Sequence, residues 1–379
     1  MKYLVLLVLP LLLIACASEP EPLAQQALAD SAWPMPVGEV QLHLRQSLAE
    51  ETALDISLVV FDPGLPEAVT VQGTRGLFPL IRKAEARYLP VLLRQTLMDT
   101  GAWGVIRVLP EPDPSAQLQI TATILHSDGE HLLLQLEAVD ASGRQWLNRS
   151  YYDRAEDADY PVAEGADPFA DLYRQIANDL LAQLEALEHS ALVALRHTAM
   201  LRYAATLSEE AFGGYLTRTE AGYYQLLRLP AADDPMLLRV QRIRNHEHLF
   251  IDTVDEQYLD LFETMRPTYN LWRQYGREQA QYMRDYQQRL LERDRAGRRG
   301  SFAALQQSYN AFKWSKIQQQ DLQELAQGFN NEVTPTVLEA SGRVFRLNGS
   351  LQSQYDEWRA ILRQIFSLET GQSRGQDKL

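Results

Sequence analysis

The tripeptide His246-Glu247-His248 combines two histidines with a carboxylate, the side chains that zinc sites use. On a helix, residues two apart do not share a face, and the His-Glu-x-x-His spacing of zinc hydrolases is absent. On a strand the two histidines would point the same way, but the sequence indicates no third ligand. We therefore expect no metal here.

An acidic loop is a second candidate cation site, and it carries Asp153, Glu156, Asp157 and Asp159. The spacing and the central glycine of an EF-hand are absent from it. The carboxylates of Asp252, Glu256, Asp260 and Glu263 would be spread along one helix instead of surrounding an ion. We interpret both groups as solvated surface, and we predict no metal and no cofactor.

Motifs for nucleophilic or phosphate chemistry are absent from the sequence, which contains no G-x-S-x-G, no Walker loop and no G-x-G-x-x-G. We therefore predict no catalytic residues and a protein that is not an enzyme. A glycan-cleaving enzyme stays open as an alternative, because such enzymes need only two carboxylates about 5–10 Å apart in one cleft.

The single cysteine of the chain, Cys16, follows an apolar leader. Residues 4–14 are long enough for the core of a signal peptide but too short to span a bilayer. The leader ends Leu13-Ile14-Ala15-Cys16, which resembles the lipobox of bacterial lipoproteins. The resemblance implies a signal peptide over residues 1–15, cleavage before Cys16, diacylglycerol on its thiol and an acyl chain, such as palmitate, on its new amino group.

The residues after the cysteine are Ala17 and Ser18. In Gram-negative lipoproteins an aspartate directly after the cysteine is the usual signal for retention in the inner membrane. The lipoprotein resemblance therefore implies the outer membrane, with the protein facing the periplasm. Residues 16–36 are rich in proline and poor in apolar periodicity, so we predict a flexible tether.

The formal net charge of −14 is unevenly distributed. Residues 16–195 carry 11 Lys and Arg against 27 Asp and Glu, whereas residues 196–379 carry 24 against 23. This change in charge predicts two domains, an acidic one and a neutral one. The acidic balance argues against nucleic acid as a partner.

The first domain is predicted over residues 37–190. Its predicted elements are a strand at 55–61, a helix at 79–100 with a kink or break at Pro90, strands at 103–109, 117–124, 131–139 and 144–152, and a helix at 167–187. Asp128-Gly129 predicts a hairpin turn, and Asp167 is the predicted N-cap of the last helix. This order predicts a mixed sheet of about five strands with helices on one face.

Three stretches of this domain, Ala116–Ala122, Asp128-Gly129 and Leu136–Trp146, resemble a group of periplasmic α/β domains. The group includes the TolB N-terminal domain, the curli secretion lipoprotein CsgG and the penicillin-binding-protein activator LpoB. The resemblance covers residues 55–155. It implies a binding or assembly module instead of an enzyme.

The second domain, residues 195–368, is predicted to be mostly helical, which makes the fold class α+β. An apolar stripe over residues 250–265 predicts one helix. Arg266-Pro267 predicts an interruption, and a long helix is predicted after it over residues 268–295. A glycine turn and a second long helix after it predict an antiparallel helical hairpin. A last helix is predicted over 351–368, and a disordered tail over 369–379.

The end of the first hairpin helix is basic, with Arg293, Arg295, Arg298 and Arg299. These residues could form a docking site for an anionic partner such as phospholipid, lipopolysaccharide or an acidic protein. A solvated tip is the alternative, since the helix dipole favours cations at a C-terminus.

These patterns together predict a lipid-anchored, non-enzymatic envelope lipoprotein that acts as a binding or assembly factor for a periplasmic or outer-membrane complex. The expected partners are an envelope protein complex and the membrane, which the lipid contacts; a homo-oligomer is a further option. An accessory subunit of an envelope transport or secretion system is the alternative.

Overall fold

A five-stranded mixed sheet organises the first part of the chain in the computed structural model, which describes residues 33–45, 52–65, 79–231, 233–296, 320 and 335–371. Its strands are β1 (Ile56–Val59), β2 (Ile106–Leu109), β3 (Leu118–Ser127), β4 (His131–Asp140) and β5 (Gln145–Arg154). Their order is β2-β1-β3-β4-β5. β1 pairs in parallel with β2 and β3, and the β3–β4 and β4–β5 pairs are antiparallel. The predicted mixed sheet is confirmed.

The β3–β4 hairpin follows directly from its sequence. Apolar residues alternate with polar ones along β3, and Leu118, Ile120 and Ile124 are completely buried. Asp128 Oδ1 accepts hydrogen bonds from the backbone N–H groups of the two residues that follow Gly129, at 2.9 and 2.8 Å. Gly129 has φ +87°, a conformation that favours glycine, so the Asp-Gly pair fixes the turn.

Two helices, α1 (Pro79–Asp99) and α2 (Ala170–Glu185), pack against the sheet and against each other. α1 continues through Pro90, so of the two predicted options the break is excluded and the kink stays a prediction. α2 begins at Ala170, so Asp167 is not its N-cap. Asp167 Oδ1 instead accepts the backbone N–H of Phe169 at 2.9 Å, which forms a separate turn before the helix.

The second part of the chain is mainly helical, as predicted. Its elements are α3 (His189–Leu207), α4 (Glu209–Phe212), β6 (Leu216–Arg218), β7 (Tyr224–Leu226), α5 (Pro235–Ala296), β8 (Thr336–Ala340), β9 (Arg343–Leu347) and α6 (Leu351–Thr370). β6–β7 and β8–β9 are two-stranded antiparallel sheets that the sequence analysis did not predict. α6 extends two residues into the segment predicted to be disordered.

α5 is one helix of 62 residues that passes through Pro267, so the predicted interruption at Arg266-Pro267 was wrong. Pro267 is exposed, and so is Glu263, whose carbonyl would otherwise accept the missing N–H. Solvent can therefore satisfy that carbonyl, which lowers the cost of a proline inside the helix. The second arm of the predicted hairpin lies outside the described residues, apart from position 320.

α5 covers the edge strand β2. The predicted apolar stripe is confirmed, because Ile251, Val254 and Phe262 are buried. Asp255 Oδ1 accepts the backbone N–H of Val108 at 2.8 Å, a donor that the edge strand would otherwise leave unpaired. The helix thus protects the sheet edge as well as its own apolar face.

Candidate functional site

A cavity of about 630 Å³ lies between α3 and α5. Its volume is within the range of about 300–1,000 Å³ that is usual for small-molecule sites. Apolar side chains form most of the lining, and they are Val193, Met200, Leu201, Leu229, Pro230 and Leu237. The polar lining consists of Gln117, Arg196, His197, Gln241 and Arg244. Among the described residues, no carboxylate belongs to the lining, although the chain as a whole is acidic.

Helical spacing brings these residues to one place. On α3, positions 193, 196, 197 and 200 are three or four residues apart and therefore share a face. On α5, positions 237, 241 and 244 share a face for the same reason. The segment that leads into α5 adds Leu229 and Pro230 at the side of the cavity.

Arg244 is the buried cation of the described lining, with 8% of its surface exposed. One of its Nη atoms donates to the carbonyl of Ser115 at 3.2 Å, and the other lies 3.7 Å from the sulfur of Met200. Its Nε is buried and has no hydrogen-bond partner within the described residues. Both hydrogen-bond contacts are with neutral groups, and the positive charge of Arg244 also acts on the nearby carboxyl of Glu247, whose pKa it lowers.

Glu247 lies one helical turn beyond Arg244 on α5, and it is 2% exposed. Burial, with a further contribution from Asp113, raises the pKa of its carboxyl to about 7, despite the Nε of Arg359 at 3.2 Å from its Oε1. Glu247 therefore belongs to a buried polar cluster that joins α5 to α6.

The histidines beside Glu247 do not join it in a metal site. The backbone carbonyl of His246 accepts a hydrogen bond from Nε1 of Trp358 at 3.2 Å. Burial lowers the pKa of His248 to about 4, so its ring is neutral at pH 7. Across the described residues, no group of three or more His, Cys, Asp or Glu side chains is placed to bind a metal ion.

A second cavity, of about 610 Å³, lies beside the N-terminal end of α2. Its acidic lining consists of Glu39, Asp99, Asp153, Glu156, Asp159, Asp167 and Asp171. Burial raises the pKa of Asp153 to about 6, although the backbone N–H of Arg154 donates to it at 2.8 Å. Three residues of the predicted acidic loop therefore face this cleft, whereas the fourth, Asp157, pairs with Arg277 on α5.

The turn between β3 and β4 contacts α5 directly. A Cβ on Gly129 would lie 2.3 Å from the backbone oxygen of Arg273, and a Cβ on Gly276 would lie 3.0 Å from the backbone oxygen of Asp128. Two glycines therefore permit this close backbone approach.

Ion pairs surround this contact. Oε1 of Glu130 lies 2.8 Å from Nη2 of Arg154, and Oε2 of Glu130 lies 2.5 Å from Nη2 of Arg284. Burial opposes the ionisation of Glu130, but hydrogen bonds from Arg284 and Arg154 hold its pKa below the usual value. Arg284, which precedes the basic residues at the end of α5, thus makes an intramolecular contact with the β3–β4 hairpin.

The remaining predicted site residues are not described in the structure. Cys16, Arg298 and Arg299 lie outside the described residues. Arg293 and Arg295 belong to α5, but its described side chains end at Asp285. Lipid attachment at Cys16 and docking at the basic tip therefore stay predictions.

The α3–α5 cavity was not predicted from the sequence. Arg196, His197 and Arg244 carry no known motif, and only the packing of two helices separated by a β-hairpin brings them together. The one available signal was the helical spacing of aliphatic and cationic residues over 193–200.

No model of a known protein family matches this chain, and no curated protein matches it. Among the described residues, none of the helices combines the length and apolar character needed to cross a membrane.

Proposed function

We propose that this protein is a lipid-anchored, non-enzymatic lipoprotein of the bacterial outer membrane that faces the periplasm and acts as a binding or assembly factor for an envelope complex. The observation that carries the binding role is the α3–α5 cavity. It combines an aliphatic lining with the buried guanidinium of Arg244, whose Nε has no partner within the described residues, and none of the described lining residues is a carboxylate or a hydroxyl nucleophile. Such a lining suits holding a ligand.

The lipobox resemblance at Leu13-Ile14-Ala15-Cys16 supports the anchor. The test is to produce the full chain in a Gram-negative bacterium and to compare it with Cys16→Ser. We expect an acylated N-terminal Cys16 peptide by mass spectrometry and an outer-membrane location for the wild type. The variant should keep its leader and lose acylation. Equal processing and equal partition of both proteins would overturn the anchor.

The binding role needs a separate test. A photo-crosslinking amino acid at Gln241, on the rim of the cavity, should capture a discrete partner from intact cells. The matched control carries the same group at Glu256, an exposed residue of α5 outside the cavity. Capture at neither position, with the protein monomeric in mild detergent, would contradict an assembly role. A transport or secretion subunit among the captured proteins would favour the accessory-subunit alternative.

A second candidate function rests on the acidic cleft. Asp153 is a buried carboxyl with a pKa near 6, and Asp159 and Asp171 line the same cleft. A glycosidase needs such a protonated acid beside a second carboxylate. Release of soluble fragments from purified peptidoglycan, abolished by Asp153→Asn, would establish this function; absence of release by the wild type would exclude it for that substrate.

A further inference from the structure

We propose that the α3–α5 cavity binds a single-chain anionic amphiphile, with the acyl chain on the aliphatic lining and the head group at Arg196 and Arg244. This inference rests on the proposed binding function and names the ligand class of the same site. It depends on three properties of the cavity: its lining, its charge and its unpaired donor.

The lining favours a flexible aliphatic chain. Its described apolar members are branched or thioether side chains and one proline, and none of them is a Phe, Tyr or Trp. The described lining therefore offers no aromatic side chain on which a nucleobase or a sugar could stack. Leu229 lines the cavity and is 49% exposed, which is the arrangement expected where a chain enters from solvent.

The charge of the cavity selects an anionic head group. Arg196, His197 and Arg244 are the ionisable residues of the described lining, so the charges that this lining can carry are positive. The overall charge of the chain is −14, so this local charge is opposite to the general one. Two guanidinium groups suit the oxygens of a carboxylate or phosphate, which they can bind with paired N–H donors.

Arg244 provides an indication of a ligand that does not depend on the lining. Its Nε is a buried donor without a partner in the described residues, at the wall of a cavity. A buried donor left unpaired is costly, and the positive charge of the same guanidinium would attract an anionic oxygen held in the cavity. A free fatty acid and a lysophospholipid both offer such an oxygen on a single chain.

The test uses the full-length lipidated protein in nanodiscs of zwitterionic lipid and a diazirine-labelled fatty acid. We expect light-induced labelling within residues 193–201 and 229–244, mapped by mass spectrometry. Laurate and lauroyl lysophosphatidylglycerol should compete, and the better competitor identifies the source of the amphiphile. Each added methylene should strengthen competition by up to about fourfold until the cavity is filled. Labelling spread over the whole chain would overturn the proposal.

Two variants separate the chain from the head group. Val193→Trp, which fills the cavity, should reduce labelling at least tenfold, whereas Val193→Ala should retain it. Arg196→Gln should weaken laurate competition about tenfold, whereas Arg239→Gln, a cation of α5 outside the lining, should not. Dodecanol competing as well as laurate would overturn the anionic head group. Circular dichroism and thermal melting confirm that each variant is folded.

The failure of this proposal can be distinguished from that of the proposed function. If labelling is absent while a partner is still captured at Gln241, the cavity serves a protein and the amphiphile assignment is wrong. If labelling is specific while no partner is captured, the ligand assignment stands and the assembly role is wrong.

Discussion

The guanidinium of Arg273 lies 2.8 Å from Oδ2 of Asp167, and the Arg273 side chain has no exposed surface. This ion pair joins α5 to the turn before α2. The ring of Tyr269 lies 4.5 Å from the same guanidinium. The pair therefore connects the long helix to the α/β part of the protein through buried charge.

We predict that Asp167→Asn destabilises the protein by about 3–5 kcal/mol, because it leaves the buried charge of Arg273 uncompensated. The double variant Asp167→Asn with Arg273→Met should be less destabilised than the single one, since it removes both charges. Urea denaturation of Asp167→Asn, Arg273→Met and the double variant measures the coupling. Additive effects of the two substitutions would show that the pair is not the source of stability.

A second prediction concerns the contact between the β3–β4 turn and α5. Gly129→Ala places a Cβ 2.3 Å from the backbone oxygen of Arg273, at a φ of +87°. Gly143→Ala is the matched control, because Gly143 has φ +88° but its Cβ would meet no atom closer than 3.8 Å. Both variants pay the cost of the left-handed backbone, about 1–2 kcal/mol. Gly129→Ala should cost about 1–3 kcal/mol more, by thermal or urea unfolding.

Equal destabilisation by the two alanines would contradict the close approach. In that case the backbone conformation alone would explain both effects, and the turn would not be in contact with α5.

A third prediction follows from the buried Glu247, whose folded-state pKa of about 7 exceeds the ordinary value of 4.5. The folded state binds the proton more tightly, so this contribution to stability is complete below pH 4.5 and is lost as the pH rises to about 7. The loss is of order 3 kcal/mol. Glu247→Gln cannot ionise and should flatten this part of the stability profile, measured by urea denaturation at pH 5–8. An unchanged slope would assign the pH dependence to other groups.

A fourth prediction compares two aspartates one turn apart on α5. Asp255 accepts the backbone N–H of Val108 and lies 2.9 Å from Arg94, whereas Asp252 is half exposed and pairs with Arg107. Asp255→Ala should cost about 3 kcal/mol and accelerate hydrogen exchange at the amide of Val108. Asp252→Ala should cost less than about 1 kcal/mol. Similar costs for both would mean that α5 does not secure the edge of the sheet.

Local patterns predicted the sheet well. Alternation along β3 and the Asp128-Gly129 pair specify a hairpin by themselves, because strand faces and turn conformation depend on neighbouring residues only. The stripe over 250–265 is likewise a local signal of a helix buried on one side. The Ser341-Gly342 turn of β8–β9 offered a similar signal, since both residues adopt positive φ, and the sequence analysis overlooked it.

Predictions failed where contacts between distant elements decide the outcome. Pro267 argues for a helix end, but Met265 and Tyr269 on either side of it are buried, and this packing keeps α5 continuous. Asp167 resembles an N-cap, yet its carboxylate pairs with Arg273, which is 106 residues away in the chain. The α3–α5 cavity depends on two helix faces whose meeting no local pattern specifies.

The paired glycines, Gly129 and Gly276, also determine how α5 can move. A shift of the helix by one residue, about 1.5 Å along its axis with about 100° of rotation, would place Tyr275 or Arg277 where Gly276 now meets the β3–β4 turn. Their side chains would collide with the backbone of Asp128. The two glycines therefore fix both the register and the rotation of the long helix on the sheet.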